Sequence, residues 1–422
     1  MFHPFRAKSW LPIVIIPMEN FGPRFFSAIL LILGTFMSCA LGDSPLDPTL
    51  LKLEAFLLPQ MQAKGFRIVS TIEYNFDNPY AIAVDSQDNV YVAEKSWTCD
   101  VQHDYTGGCP LYVITTRSRV LKFDPSGKFL GWLGLDTTGA KGFHSAPTSA
   151  VAAFGLNPEE FTIIGGLATD SQDRLYVSDA YRIQRFDSSL NFEAWLGKAS
   201  DNSIGWHATG QPQGNPSATQ DDGAMNTFGS ISFYGNKIYV GSEVLYYVNR
   251  YDQSGAYEGW LGKDTNNVKG WHTPLAGVGY FRGTFHGNDI GAFDITKDIA
   301  IDPTNGNLFV VDSVHDPVLS VWAPDGTYLT GLFHGGTGIK PYAIAIDSFG
   351  NVIISDMYQG TIRGYDPSLQ QRATLQVEPP SIPNVYYPIV GSKLTVASNG
   401  YLYAVHETGN RILKIKILYS EW

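Results

Sequence analysis

The sequence predicts an all-β protein: a six-bladed β-propeller of four-stranded antiparallel blades, closed by an N-terminal strand that completes the last blade. Three observations carry that prediction. A strand-turn-strand phrase recurs six times along the 422 residues. Most copies are followed by a second hairpin. The last copy has no room for its fourth strand, while a strand-like segment without a blade of its own precedes the first copy. A repeated supersecondary unit of this kind indicates the architecture before any single residue is interpreted.

The first phrase occupies residues 81–94 (AIAVDSQDNVYVAE) and the second residues 166–179 (GLATDSQDRLYVSD). The others lie at 230–243 (SISFYGNKIYVGSE), 298–312 (DIAIDPTNGNLFVVD), 343–356 (AIAIDSFGNVIISD) and 394–407 (LTVASNGYLYAVHE). Each has two runs rich in Val, Ile, Tyr and Ala around the Asp, Asn, Ser and Gly that tight turns need, so each is a hairpin. Second hairpins follow at 119–134, 182–197 and 247–262, with weaker versions at 318–333 and 361–376. Four antiparallel strands per unit make a propeller blade. The sixth unit stops after RILKIKIL, residues 411–418, so FRIVSTIE, residues 66–73, is expected to pair outside it. That pairing closes the ring and leaves no long bare edge at the join.

These repeats place one domain at residues 66–419, after a linker at 41–65 and an export signal at 1–40. A single domain of this size buries roughly three quarters of its unfolded surface. The net charge is −11, moving to about −13 without residues 1–38, which hold Arg6, Lys8, Arg24 and Glu19. This balance, with no Lys/Arg run, argues against nucleic-acid binding, which depends on cations neutralising phosphates. Arg24, the apolar run 25–37 and small residues around Cys39 have the layout of an export signal, and Met18 is an alternative start. Cleavage before Cys39 would leave a lipidated cysteine at an imperfect lipobox, and cleavage after Ala40 would remove it. Cys99 and Cys109 flank a Gly-rich loop and can form a disulfide in an oxidising compartment, the alternative being two reduced thiols. With no N-glycosylation acceptor in the chain, the features favour a bacterial protein that is secreted or held in the cell envelope as a lipoprotein, periplasmic or anchored at the outer membrane.

The phrases resemble those of the NHL-repeat family of six-bladed propellers, in which an Ala-Val-Asp strand, an Asn-led turn and a Tyr-Val-Ala-Asp strand precede an Arg-led third strand. The likeness is best at residues 78–129, 165–187 and 340–366. It is looser in the third copy, where Tyr234 replaces the turn aspartate, and in the sixth, where Ser398 does. The third-strand arginine is kept as Arg119, Arg182 and Arg411 but is Tyr247, Val318 and Thr361 elsewhere. The resemblance implies the fold; relatives include binding modules, sensors and a zinc-dependent lyase, so it implies no activity.

Strand order fixes which connections share an end of the disc. Turns between strands one and two and between three and four lie at one end, and all others lie at the opposite end. Every large insertion falls in the second set: 97–110, 136–160, 198–226 and 263–293. Loops on a rigid scaffold are where binding function concentrates. Three insertions share a register, with Trp132-Leu133-Gly134, Trp195-Leu196-Gly197 and Trp260-Leu261-Gly262 leading to Gly142-Phe143-His144, Gly205-Trp206-His207 and Gly270-Trp271-His272. Either these residues wedge neighbouring blades and bond loop carbonyls, or Phe143, His144, Trp206, His207, Trp271 and His272 contact a ligand. Three histidines can satisfy zinc. Each phrase also ends in an acid: Glu94, Asp179, Glu243, Asp312, Asp356 and Glu407. These either accept local N–H groups and pair with arginines, or form an acidic mouth for calcium or a cationic ligand.

No linear motif for a serine hydrolase, zincin, phosphate loop or CxxC redox centre is present. His103, His286, His315, His334 and His406 are scattered. The expected function is a monomeric binding module for a protein or glycan, acting through the looped end. It requires no cofactor, binds no nucleic acid, and meets a membrane only through its signal or lipid anchor. The rival expectation is a metal-dependent lyase or lactonase with its site at the channel mouth.

Overall fold

The computed structural model describes residues 62–419 except 95–96, 100–111, 115–117, 148–151, 154, 156, 209–221, 224, 226–228, 242–246, 265, 275–288, 294–295, 313–315, 334–338, 357–358, 378–389 and 408. At 97–99, 112–114 and 390 only backbone pairing is described. None of these residues is helical, and six antiparallel sheets form a six-bladed propeller. Blade 1 is Pro79–Val84, Val90–Glu94, Arg119–Phe123 and Phe129–Leu133. Blade 2 is Ile164–Thr169, Leu175–Asp179, Arg182–Phe186 and Phe192–Lys198, and blade 3 is Ile231–Tyr234, Lys237–Gly241, Val248–Asp252 and Tyr257–Lys263. Blade 4 is Thr296–Ile301, Leu308–Asp312, Leu319–Trp322 and Tyr328–Leu332, and blade 5 is Pro341–Ile346, Val352–Asp356, Thr361–Tyr365 and Gln371–Gln376. Blade 6 is Val390–Val396, Tyr401–His406 and Arg411–Tyr419, completed by Ala63–Glu73.

Apolar side chains explain the ring. Successive residues of a strand face opposite sides of the sheet, and here both sides are covered. In blade 1, Val90 and Val92 join Tyr403, Val405 and Ile412 of blade 6, while Tyr91 and Ala93 join Leu175 and Val177 of blade 2. The same division recurs around the disc, giving one apolar cluster in each of six seams. The first strand of every blade touches the first strand of the next, and that of blade 6 touches that of blade 1.

Closure follows the expected pairing. Phe66 lies opposite Ile417, Ile72 opposite Ile412 and Glu73 opposite Arg411. The strand begins at Ala63, three residues earlier than expected, and the Ala63 N–H reaches Asn351 Oδ1 of blade 5 at 3.3 Å. Phe66 enters the seam with blade 5 above Gly364, where an added Cβ would stand 2.9 Å from the ring.

The blades are not all four-stranded. Phe143–Ser145, Ile204–His207 and Lys269–His272 pair outside the fourth strands of blades 1, 2 and 3 as fifth strands. Three of the long insertions therefore begin as sheet along the rim before continuing toward the next blade. The physical reason lies in the shared motif: Trp195 sits opposite His207, Leu196 opposite Trp206 and Gly197 opposite Gly205. Trp-Leu-Gly and Gly-Trp-His are thus two halves of an antiparallel ladder.

Truncation of the buried Phe66 ring to alanine is expected to destabilise the protein by about 3 kcal/mol, measured by urea unfolding. Deleting residues 63–73 would uncover the Ile412–Ile417 ladder and is expected to lower the melting temperature by about 10 °C or more. An unchanged melting temperature after the deletion would contradict closure by this strand.

Candidate functional site

The two ends of the disc differ in what their polar groups do. At the short-turn end, aspartates close the hairpins on themselves: Asp85 Oδ1 accepts from the N–H groups of Gln87 and Asn89 at 3.0 and 2.8 Å. Asp124, Asp170, Asp187, Asp347 and Asp366 repeat the arrangement. Neighbouring turns also bond to each other. The Ser86 N–H and hydroxyl donate to Asp173 at 2.8 and 2.7 Å, and the Ser398 hydroxyl donates to Asp88 at 3.2 Å.

At the opposite end, Glu94 and Asp179, which close their phrases, pin the chain entering their own blade. Glu94 accepts from the Asp77 N–H at 2.7 Å and from Arg119 Nε at 2.6 Å. Asp179, fully buried, accepts from the Thr162 N–H and hydroxyl at 2.8 and 3.0 Å and pairs with Arg182 at 3.2 Å. Asp356 pairs with Arg363 at 3.0 Å, so two residues after Thr361 another arginine supplies the missing partner. Asp312 is buried at the same place in blade 4, but in blade 6 His406 stands opposite Arg411 where Glu94 stands opposite Arg119, so Glu407 falls one residue past the shared position and the expected ring of six equivalent acids is not formed; Glu243 lies outside the described residues. Burial holds the Glu94 and Asp179 carboxyls above the usual carboxylate range, outweighing the opposing pull of Arg119 and Arg182.

Each Trp-Leu-Gly and Gly-aromatic-His pair forms a small module on its own blade. The indole of Trp132 stacks on His144 with ring centroids 4.1 Å apart, Trp195 lies 4.2 Å from His207, and Trp260 stacks on His272 at 4.1 Å. The Nε2 atoms of these histidines lie 3.2, 3.1 and 3.2 Å from the carbonyl oxygens of Gly134, Gly197 and Gly262. Of the aromatic residues before these histidines, Trp206 and Trp271 face the next blade, while the Phe143 ring lies beside Gly131 of its own blade. The Trp206 indole donates to the Gln253 carbonyl at 3.1 Å, in the outer turn of blade 3, and carries the Arg185 guanidinium 4.1 Å from its centroid. Trp271 repeats the contact with Arg250 at 4.1 Å and packs beside Gly326 of blade 4. Gly270, at φ +116°, permits this approach, since a Cβ there would stand 2.9 Å from the Gly326 carbonyl. Phe143 remains 37% exposed. Trp206 and Trp271 therefore enter two seams, against short turns of the following blade, while the three histidines and Phe143 contact their own blades.

Sequence reasoning missed the group that bridges blades 4 and 6. Aligned by their pairing with the second strands, the first strands present Ala81, Gly166, Ser230, Asp298, Ala343 and Lys393 at one level, the last lying one residue before the sixth phrase. Lys393 of blade 6 reaches past blade 5 to Asp298 of blade 4, Nζ to Oδ1 at 2.9 Å, and also donates to the Lys297 carbonyl at 2.9 Å. The second oxygen of Asp298 accepts the Ile344 N–H of blade 5 at 3.0 Å. Both ionic side chains are over nine-tenths buried. The signal was the single acid and single base at a position otherwise held by Ala, Gly and Ser.

Among the described residues, no group of three or more His, Cys, Asp or Glu is arranged to hold a metal ion. His406 is buried and its Nδ1 accepts from the Gly409 N–H at 2.9 Å. His103, His286, His315 and His334 lie outside the described residues, as do Cys39 and Cys109; for Cys99 the backbone pairing alone is described.

Replacing Arg182 with methionine leaves Asp179 buried without its cation and is expected to cost about 3–5 kcal/mol at neutral pH. A carboxyl with a raised folded pKa favours folding below its unfolded value of about 4, and that contribution is lost as pH rises through the raised value. Urea melts should therefore show the Arg182→Met penalty shrinking toward pH 4, as Asp179 takes a proton. An equal penalty at both pH values would contradict this reading. The axial pair predicts that Lys393→Met destabilises by about 3 kcal/mol or more, with part of that recovered in the Lys393→Met/Asp298→Asn double variant. Simple additivity of the two single changes in urea melts would count against direct coupling.

No family model matches the sequence, and no curated protein matches it. Among solved structures, the chain is similar to virginiamycin B lyase from Staphylococcus aureus at 10% identity and TM-score 0.45, over 84% of this chain and 100% of that one. It is also similar to a streptogramin B lyase at 10% identity and TM-score 0.45, over 84% of this chain and 98% of the other. No residue role passes from these proteins to this chain.

Proposed function

We propose that this propeller is an exported binding module of the NHL type that captures a protein or glycan through the loops at one end. The observation that supports this reading is the asymmetry of its connections. Hairpin turns at the short-turn end join strands through gaps such as 85–89, 170–174 and 347–351. The gap 377–389 joins strand ends at the other end, whereas 208–230 and 273–295 follow fifth strands that carry the chain back beside the short turns at Gln253 and Gly326, and each ends at the first strand of the next blade at the other end. Short turns that bond one another leave little for a ligand, whereas long connections on a rigid ring offer varied chemistry at no cost to the core.

Export follows from the Arg24 and 25–37 signal layout, with Cys39 as the candidate lipid attachment point and Cys99–Cys109 as the candidate disulfide. Trp206 and Trp271 act first as braces between blades. Phe143, the more open member of the set, extends the ligand surface to the rim.

Replacing residues 209–221 and 275–288 with short Gly-Ser linkers is expected to abolish capture of ligands identified by glycan array and by pull-down from envelope extract. The melting temperature should change by no more than about 5 °C, because loop shortening carries a small entropic term. Retention of the same ligands by the shortened protein would contradict the proposal.

A further inference from the structure

The ladder between the closing strand and the last strand carries an arrangement that the fold does not need. Arg67 lies directly opposite Lys416, both exposed, and neither has a carboxylate partner among the described residues. Like charges placed directly across a strand pair are destabilising. They occur here in a chain whose net charge is −11. On the same face Lys414 follows, opposite Ser70, with its Nζ donating to the Pro125 carbonyl at 3.2 Å and lying 4.9 Å from the Tyr401 ring. Lys64 is a further exposed cation on the closing strand.

Exposed apolar side chains lie on the same two strands, Leu418 on the face of the cations and Ile68 on the opposite face. Ile68, Val69 and Leu418 are 40%, 41% and 38% exposed, three of the seven large hydrophobic residues exposed among the described residues. Leu418 lies across Gly65, next to the Arg67–Lys416 pair. The closing strand is also the first described element after the apolar run 25–37, and the intervening 25 residues reach about 80 Å when extended.

We propose that the outer ladder of blade 6 seats the propeller on an anionic phospholipid surface, the cations meeting headgroup phosphates and the aliphatic side chains entering the interface. Arg67 and Lys416 stand side by side across the pair, and Lys414 follows on the same face, so the cations are gathered on one side of the ladder. An acidic peptide added as a further strand fits less well, because register shifts at Ala63/Gly65 and Ile68/Ser70 interrupt the edge it would pair with. Each juxtamembrane cation strengthens attraction to an anionic leaflet, and salt screens it.

The test is co-sedimentation of the full chain with vesicles of 30% phosphatidylglycerol in phosphatidylcholine and with pure phosphatidylcholine vesicles, at low and high salt. The proposal predicts preference for the anionic vesicles at low salt, reduced at least tenfold by Arg67→Gln/Lys416→Gln. Any contribution of the N-terminal segment, with its apolar run and Arg6, Lys8 and Arg24, is common to both proteins, so the comparison of parent with variant reads the ladder alone. The double variant should melt no lower than the parent, since it removes a repulsion. Equal partition of parent and variant, no preference for anionic vesicles, or capture of a poly-glutamate peptide instead of vesicles would overturn the proposal.

Discussion

Every blade of this protein is apolar on both faces, and that constraint governs the rest of the structure. A sheet with one apolar face can bury it against a single neighbour. A sheet with two needs a neighbour on each side, and for like sheets with no helix to cover them, as among the described residues here, a closed ring leaves no face bare. Six seams filled by six separate apolar clusters are the outcome. The join falls within blade 6, where the closing strand Ala63–Glu73 pairs with Arg411–Tyr419, so the two ends of the domain are held by one ladder. Without it, the outer part of the Ile412–Ile417 strand would lose its partner.

Polar residues then distinguish the two ends of the disc. Asp-closed turns at one end bond to themselves and to each other. At the other end, Glu94, Asp179 and Asp356 tie the incoming chain and an arginine to the blade they terminate. Near the axis, Lys393 and Asp298 join blades 4 and 6 and draw in the backbone of blade 5. A buried ion pair is weak evidence for added stability, because desolvation offsets its attraction. Its effect here is geometric, since the pair can form only when those three blades stand in their proper places around the axis.

Blade number, hairpin positions and the closing strand were legible because each rests on local patterns: paired β-rich runs, Asp-led turns, and a strand count one short at the C-terminus. The fifth strands were not recognised, although both halves of their ladders were visible. Trp195 and His207 recur at a fixed separation, which identifies a unit, but spacing alone does not distinguish a loop contact from an antiparallel pairing. Arg363 was hidden by an offset of two residues from the position where arginine stands in other blades. The Lys393–Asp298 pair lies 95 positions apart, and its partners are revealed only by superposing the repeats. The candidate ligand loops are rich in Gly, Pro, Asn and Ser, a composition that marks them as connections and leaves their recognition chemistry unspecified.

The functional reading depends on a rigid ring, since a surface assembled from separate blades keeps its shape only while the seams stay shut. Backbone amide hydrogen exchange across the joining ladder tests that requirement most directly. Closure predicts that ladder amides of residues 66–72 exchange as slowly as those of residues 412–417, through global unfolding of the ring. Rapid exchange of residues 66–72 beside a protected last strand would show the ring to be open, and would contradict the account.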